Sequence, residues 1–273
     1  MKACIFLINT ILLSLSFDSI SKTVLPTKTP KIAIIIDDIG YRKTDFSALA
    51  LAGQFTYSVV PYAPFTQKMA QLAHDSNREV MGHIPMEALS NNHLLGKGAL
   101  RLSMNEEETR AQVRDILANI PFISGINNHM GSHFTTKFEN LSWMMDELAK
   151  KDLYFLDSKT TVYSMAERAA VKYGVPTGHR HVFLDNNLDT AYLSQQFNKL
   201  IEIAKKYNQA VAIAHPHPQS IAFLQGKSEY LKSIGIDLVP VSSLLPEMTR
   251  LAQGSHIRNP VNKRFKAATV MVD

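Results

Sequence analysis

Five apolar runs in this chain stop abruptly at clusters of Asp, His or Asn, and that repetition constrains the fold more than any other feature. Ile32–Ile36 runs into Asp37-Asp38, Val80-Met81-Gly82 into His83, and Gly125-Ile126 into Asn127-Asn128-His129. Leu153–Leu156 runs into Asp157-Ser158, and Ala210–Ala214 into His215-Pro216-His217. If the runs are parallel strands, all five clusters fall at the carboxyl end of one sheet or barrel, where α/β proteins build their sites. Carboxylates and imidazoles gathered there point to metal-dependent hydrolysis.

The intervening sequence supports βα units. Strands are expected at Ile32–Ile36, Phe55–Val60, Glu79–His83, Gly125–Asn127, Leu153–Leu156, His181–Leu184, Ala210–Ala214 and Asp237–Pro240. Helices are expected near Phe65–Asp75, Asn105–Ala118, Glu139–Lys150, Ser164–Lys172, Ala191–Tyr207 and Pro218–Ser233. Asn105 followed by Glu106, Glu107 and Glu108 is a strong helix start, with acids at the positive end of the helix dipole. The 273 residues, 45% hydrophobic and 19% charged, suffice for one large core. The formal charge of +5 is scattered, with no dense basic run interleaved with aromatics, which argues against nucleic-acid binding.

The first residues differ from the rest. Lys2 precedes a mostly apolar stretch from Ala3 to Phe17, and small residues near Ser19 and Ser21 offer a cleavage site. Residues 1–21 read as a secretory signal, too short in continuous apolar length for the ~20 residues of a spanning helix, so no membrane span is expected after cleavage. Cys4, the only cysteine, lies inside that segment, which leaves the mature chain without thiolate ligands or an intramolecular disulfide. A polar linker (22–30), a catalytic domain (31–246) and a basic C-terminal tail (247–273) complete the expected organisation.

Asp37-Asp38 is the most informative local signal. Adjacent carboxylates at the end of a buried strand point in different directions, and keeping both there is costly without a cation or hydrogen-bond donors. One can hold a metal while the other accepts a proton; the competing reading is a turn, helped by Gly40. His83 and Glu87 are both ligands suited to zinc, with Pro85 breaking the strand between them. His129 projects into the mouth if its strand extends that far, with His133 further out, and Asn127, Asn128 and Ser132 can position it or bind sugar hydroxyls. Asp157 can orient a histidine or accept from substrate. Ser158 lacks the Gly-x-Ser-x-Gly elbow of a serine hydrolase. Asp185 repeats the strand-end pattern, but Asn186-Asn187 reads equally as a turn, and His179 and His181 read as loop residues around Arg180. Prolines keep His215 and His217 out of a helix, and a histidine there suits protonation of a leaving amine, His215 before His217 because it is nearer the strand.

Taken in order, these motifs resemble the divergent polysaccharide deacetylases. The resemblance runs from about Lys31 to Leu245 and rests on Ile36-Asp37-Asp38-Ile39-Gly40, His83-Ile84-Pro85-Met86-Glu87, Asn127-Asn128-His129-Met130-Gly131-Ser132, Phe155-Leu156-Asp157-Ser158, Val182-Phe183-Leu184-Asp185-Asn186 and His215-Pro216. It implies an α/β fold, a distorted, incomplete (β/α) barrel of about seven parallel strands, exported to the periplasm. It further implies Asp37 as catalytic base, Asp38 and His83 as metal ligands and His215 as catalytic acid. Relatives carry a second histidine four residues after the first ligand histidine, where this chain has Glu87; the third ligand is then His129, ranked first, or Glu87. The arginine that relatives place beside the base has no obvious counterpart, and His133 stands where the nearest pattern has Arg. The expected function is divalent-metal-dependent hydrolysis, with zinc as the cation, of an N-acetyl group on an envelope carbohydrate. The rival reading is a non-catalytic saccharide- or envelope-protein-binding protein on the same scaffold.

Overall fold

The structure, a computed structural model, describes residues 29–250. The expected signal segment, most of the linker and residues 251–273 of the tail lie outside the described residues. The strands are β1 (Lys31–Ile39), β2 (Thr56–Val59), β3 (Glu79–Met86), β4 (Ile123–Met130), β5 (Tyr154–Asp157), β6 (Thr177–His179), β7 (Val182–Phe183), β8 (Gln209–Ala214) and β9 (Asp237–Leu238). The α-helices are α1 (Thr66–Asp75), α2 (Glu106–Asn119), α3 (Phe138–Ala149), α4 (Ala166–Lys172), α5 (Thr190–Tyr207), α6 (Pro218–Leu224) and α7 (Lys227–Ser233).

The strands pair in parallel in the order β6-β5-β4-β3-β2-β1-β8-β7, with β9 beside β1. β6 and β7 stand at opposite edges of that order although only Arg180 and His181 separate them. The Arg180 N–H donates to the Asp157 carbonyl at the end of β5, while the His181 N–H donates to the Val211 carbonyl of β8. The sheet therefore curls until its two edges are spanned by two consecutive residues, giving an open, incomplete β/α barrel. Counted as one extended segment, β6 and β7 make the ring seven strands around, with β9 outside it.

Two apolar layers follow from the two-residue period of a strand. Ile32, Ile34 and Ile36 of β1 pack with Met69, Leu141 and Leu200 of the surrounding helices. Ala33 and Ile35 face the other way, with Met81, Leu156, Val211 and Ile213, into the barrel interior. Continuing that inner parity by two residues leads from Ile35 to Asp37, from Met81 to His83 and from Ile213 to His215. The interior is apolar below and ionisable at its mouth. At the bottom, Val241, Leu244, Leu245 and Met248 close the interior, and Thr249 Oγ1 accepts from the Thr177 N–H at 2.8 Å, so packing continues past residue 246.

Local differences from expectation have local causes. The single helix expected over Pro218–Ser233 is two, α6 and α7, because Gly226 takes φ +70° between them. β4 extends three residues beyond its expected end and carries His129 within it. His179 and His181 are not free loop residues: His179 pairs with Glu167, and His181 Nδ1 accepts from the Val211 N–H at the seam.

The loop after Asp38 is pinned by buried Asp45, whose Oδ2 accepts from the backbone N–H groups of Gly40 (3.1 Å) and Arg42 (2.9 Å). Asp45→Ala leaves both donors without that partner and is expected to cost about 2 kcal/mol, read as a lower urea midpoint at unchanged slope. An unchanged midpoint would remove Asp45 from the loop's support.

Candidate metal centre

The centre begins with an irregularity in β1. Ile36 pairs with Tyr57 and Ile39 with Val59, so three steps on β1 oppose two on β2. The extra residue is absorbed at Asp37-Asp38, where Asp38 takes φ +58°. In a regular strand the two carboxylates would leave by opposite faces. Here both reach the same imidazole: His83 Nδ1 is 3.7 Å from Asp37 Oδ2, and His83 Nε2 is 3.1 Å from Asp38 Oδ1. The expectation of divergent directions is corrected by this bulge.

His129 arrives from β4 with Nδ1 3.0 Å from Asp38 Oδ1 and 3.2 Å from His83 Nε2. Three potential donor atoms thus form a nearly equilateral triangle. A tetrahedral zinc with bonds of ~2.0–2.1 Å spaces its ligand atoms about 3.3 Å apart, so the triangle is close to the size of one face of such a site. Asp38 Oδ1 is buried and, among the described residues, forms no hydrogen bond of acceptable geometry, the condition of a carboxylate oxygen awaiting a cation. Burial raises the Asp38 pKa, but the two imidazoles more than offset it and hold the carboxyl well below the usual range. Among the described residues, Asp38, His83 and His129 are the group of acids and histidines close enough to share a metal ion.

Asp37 and His215 stand beside this triangle on adjacent strands, since Ile36 pairs with Ala214 one residue earlier. Asp37 is buried, and burial pushes its pKa up against the opposing pull of His83, His215 and Asn127. His215 is oriented by Asp185: its Nδ1 lies 2.9 Å from Oδ1, its N–H donates to Oδ2 at 2.7 Å, and Ser220 Oγ also donates to Oδ2 at 2.7 Å. Burial lowers the His215 pKa, but Asp185 overcompensates and raises it to about 9. Asp38, Tyr41, Arg42, Asp45, His215 and the Pro216-His217 pair line a pocket of ≈ 160 Å³ over the site.

Three expected site residues are not brought to the triangle. Glu87 meets His133 Nδ1 at 3.0 Å through Oε1 and accepts from the Leu102 N–H at 2.9 Å through Oε2, so it braces the loop after β3 and is not in the cluster. Asn128 has the outward parity of β4, donating to the Met130 carbonyl and accepting from the Ser158 N–H. Asp157 follows inward-facing Leu156 and therefore points out; its Oδ1 accepts from the Lys159 N–H, and among the described residues it orients no histidine. Asn127, of inward parity, lies between Asp37 and His83. One contributor was left open by sequence reasoning and one escaped it. Asp185 ends an apolar run as the others do, but its Asn-Asn sequel read equally as a turn. Arg180 stacks on Phe183 at 3.7 Å and its charge is felt by both Asp37 and Asp157; it comes from the seam segment, for which the sequence offered no motif.

Comparisons with known proteins agree with this architecture. Residues 34–245 match the family model described as divergent polysaccharide deacetylase. An uncharacterized protein, YibQ, of Escherichia coli is 38% identical over 234 residues, covering 85% of this chain and 73% of the relative. An uncharacterized protein of Haemophilus influenzae is 35% identical over 196 residues, covering 71% and 70%. Among solved structures, an uncharacterized protein from Agrobacterium tumefaciens superposes with a TM-score of 0.77 at 23% identity, covering 81% of this chain and 91% of that one. A deacetylase solved with substrate has the same fold at a TM-score of 0.50 and 14% identity, covering 81% and 92%.

The donor set predicts about one divalent metal ion per chain by elemental analysis, with zinc as the ion used for loading. His83→Ala and His129→Ala should each weaken zinc binding by more than about 100-fold, whereas Glu87→Ala should leave stoichiometry intact and lower only thermal stability. Zinc lost with Glu87 and kept without His129 would reverse the choice of third ligand.

Proposed function

The chain belongs to the divergent polysaccharide deacetylase family, and from that premise and the geometry of the mouth we propose that it is a divalent-metal-dependent hydrolase removing the acetyl group from an N-acetylated envelope carbohydrate. One observation carries the reading: a buried carboxylate of raised pKa and a carboxylate-paired histidine stand beside an Asp/His/His triangle. Lys2 and the apolar stretch Ala3–Phe17 support export, with the periplasm as the working compartment.

Asp38, His83 and His129 would hold the cation, with zinc suited to two imidazoles and one carboxylate; when bound, it supplies Lewis-acid polarisation of the acetyl carbonyl and a lowered water pKa. The chain's own groups handle the protons. Asp37 takes a proton from the water whose oxygen attacks the acetyl carbon, a task suited to a carboxylate whose pKa burial has raised. His215 presents Nε2 to the site because Nδ1 is engaged by Asp185. As the carbon–nitrogen bond breaks, His215 gives its proton to the departing amine, leaving acetate and a free amino sugar. Asp185 keeps that imidazole protonated at neutral pH and fixes its ring.

Acetate release from N-acetylated oligosaccharides tests the assignment. Asp37→Asn should lower kcat by about 100- to 10,000-fold with zinc retained; an active Asp37→Asn enzyme would overturn the base. His215 must be protonated to act, and its pKa is raised to about 9, so activity should persist through neutral pH and fall as pH rises toward that value. Asp185→Asn removes the raising charge and should move this alkaline limb down by about 1–2 pH units. An unmoved limb would detach His215 from the acid role.

A further inference from the structure

Asn127 occupies the centre of the polar network under the triangle, fully buried on the inward face of β4. Its Nδ2 donates to both oxygens of Asp37, at 2.9 and 3.1 Å. Its Oδ1 accepts from Ser58 Oγ of β2 at 2.7 Å and lies 2.7 Å from His83 Nδ1. Register explains the position: Asn127 is the direct β4 partner of His83 on β3, so the amide and the imidazole leave their strands side by side. An amide is the one uncharged side chain of this size that carries a donor and an acceptor on a rigid plane.

The polarity of this amide is forced. The Asp37 carboxylate accepts only, so the NH2 end must face it, and Oδ1 must face Ser58 and His83. An acceptor 2.7 Å from His83 Nδ1 requires the proton on that nitrogen, which makes Nε2, facing Asp38 Oδ1 and His129 Nδ1, the nitrogen that can be freed for a cation. We propose that Asn127 is a positioning residue that holds a proton on His83 Nδ1, so that Nε2 is the nitrogen offered to a cation, while the same amide holds the Asp37 carboxylate in place. The inference rests on the metal-site reading above and adds the residue that makes His83 a ligand by its other nitrogen. Ser58 takes part by occupying the remaining lone pair of Oδ1, which stops the amide from rotating. Asp37 cannot fill this role: it stands 3.7 Å from Nδ1, beyond hydrogen-bond reach.

Three proteins test it: wild type, Asn127→Leu and Asn127→Asp, each checked for folding by thermal melting. Long-range proton–nitrogen spectra of 15N-histidine-labelled protein report the His83 tautomer without metal, and competition with a chelator reports zinc affinity. Wild type should show His83 protonated at Nδ1. Asn127→Leu, which has no acceptor, should lose that tautomer and weaken zinc by about 10- to 100-fold. Asn127→Asp retains the acceptor toward His83 but sets a second carboxylate against Asp37, with which it must share a proton; it should keep the proton on His83 Nδ1 and bind zinc more tightly than Asn127→Leu. A folded Asn127→Leu protein with the wild-type tautomer and zinc affinity would overturn the role of Asn127 alone. A wild type with the Nδ1–H tautomer that binds no zinc after reloading would overturn the metal reading while upholding the lock on His83.

Discussion

The left-handed residue at Asp38 is the constraint on which the rest of the site depends. Two successive residues of a strand normally serve opposite faces, and β1 is buried on both, so one carboxylate of a regular Asp-Asp pair would end in the apolar layer against the helices. The bulge against β2 and the φ of +58° turn Asp38 back over the mouth, where it meets His83 and His129. A non-glycine residue in that region costs about 1 kcal/mol, and the loop beyond it is held by Asp45. A small backbone distortion thus converts a structural strand end into a place where two acids can have different roles.

The barrel's inner parity does the remaining assembly. Apart from Asp38, the site residues supplied by β1, β3, β4 and the end of β8 lie two or four positions beyond an inward-facing residue: Asp37 after Ile35, His83 after Met81, Asn127 and His129 after Gly125, His215 after Ile213. Gly125 belongs to this series because a Cβ there would collide with the Tyr154 ring that fills the interior below. The same rule explains the residues that stay out. Asp157 and Asn128 sit one position off and are spent on backbone hydrogen bonds.

Much of this was legible in the sequence because strand ends and chain polarity are local properties. The apolar runs located the principal strands, and their polar ends named Asp37, Asp38, His83, His129 and His215. What stayed hidden depended on parity and on pairs distant in sequence. Glu87 looked like a ligand by spacing, but the loop after β3 folds back so that its carboxylate serves Leu102 and His133. Asp185 is 30 residues from His215 and becomes its partner only when β7 and β8 align. Arg180 gains its place from the closing of the sheet's two edges, a property of the whole ring, which no local pattern encodes.

Buried charge makes the account testable as a whole. Asp37, Asp38 and Asp185 stand within one mouth with three imidazoles, and an orphaned carboxylate oxygen faces two ring nitrogens. Such an arrangement is costly unless a cation or protons compensate it. The most direct measurement is X-ray diffraction from zinc-loaded crystals at the zinc absorption edge. The account predicts one anomalous peak bounded by Asp38 Oδ1, His83 Nε2 and His129 Nδ1, at bond lengths of ~2.0–2.2 Å. A fully loaded crystal with no peak there, or with its peak at Glu87 and His133, would contradict it.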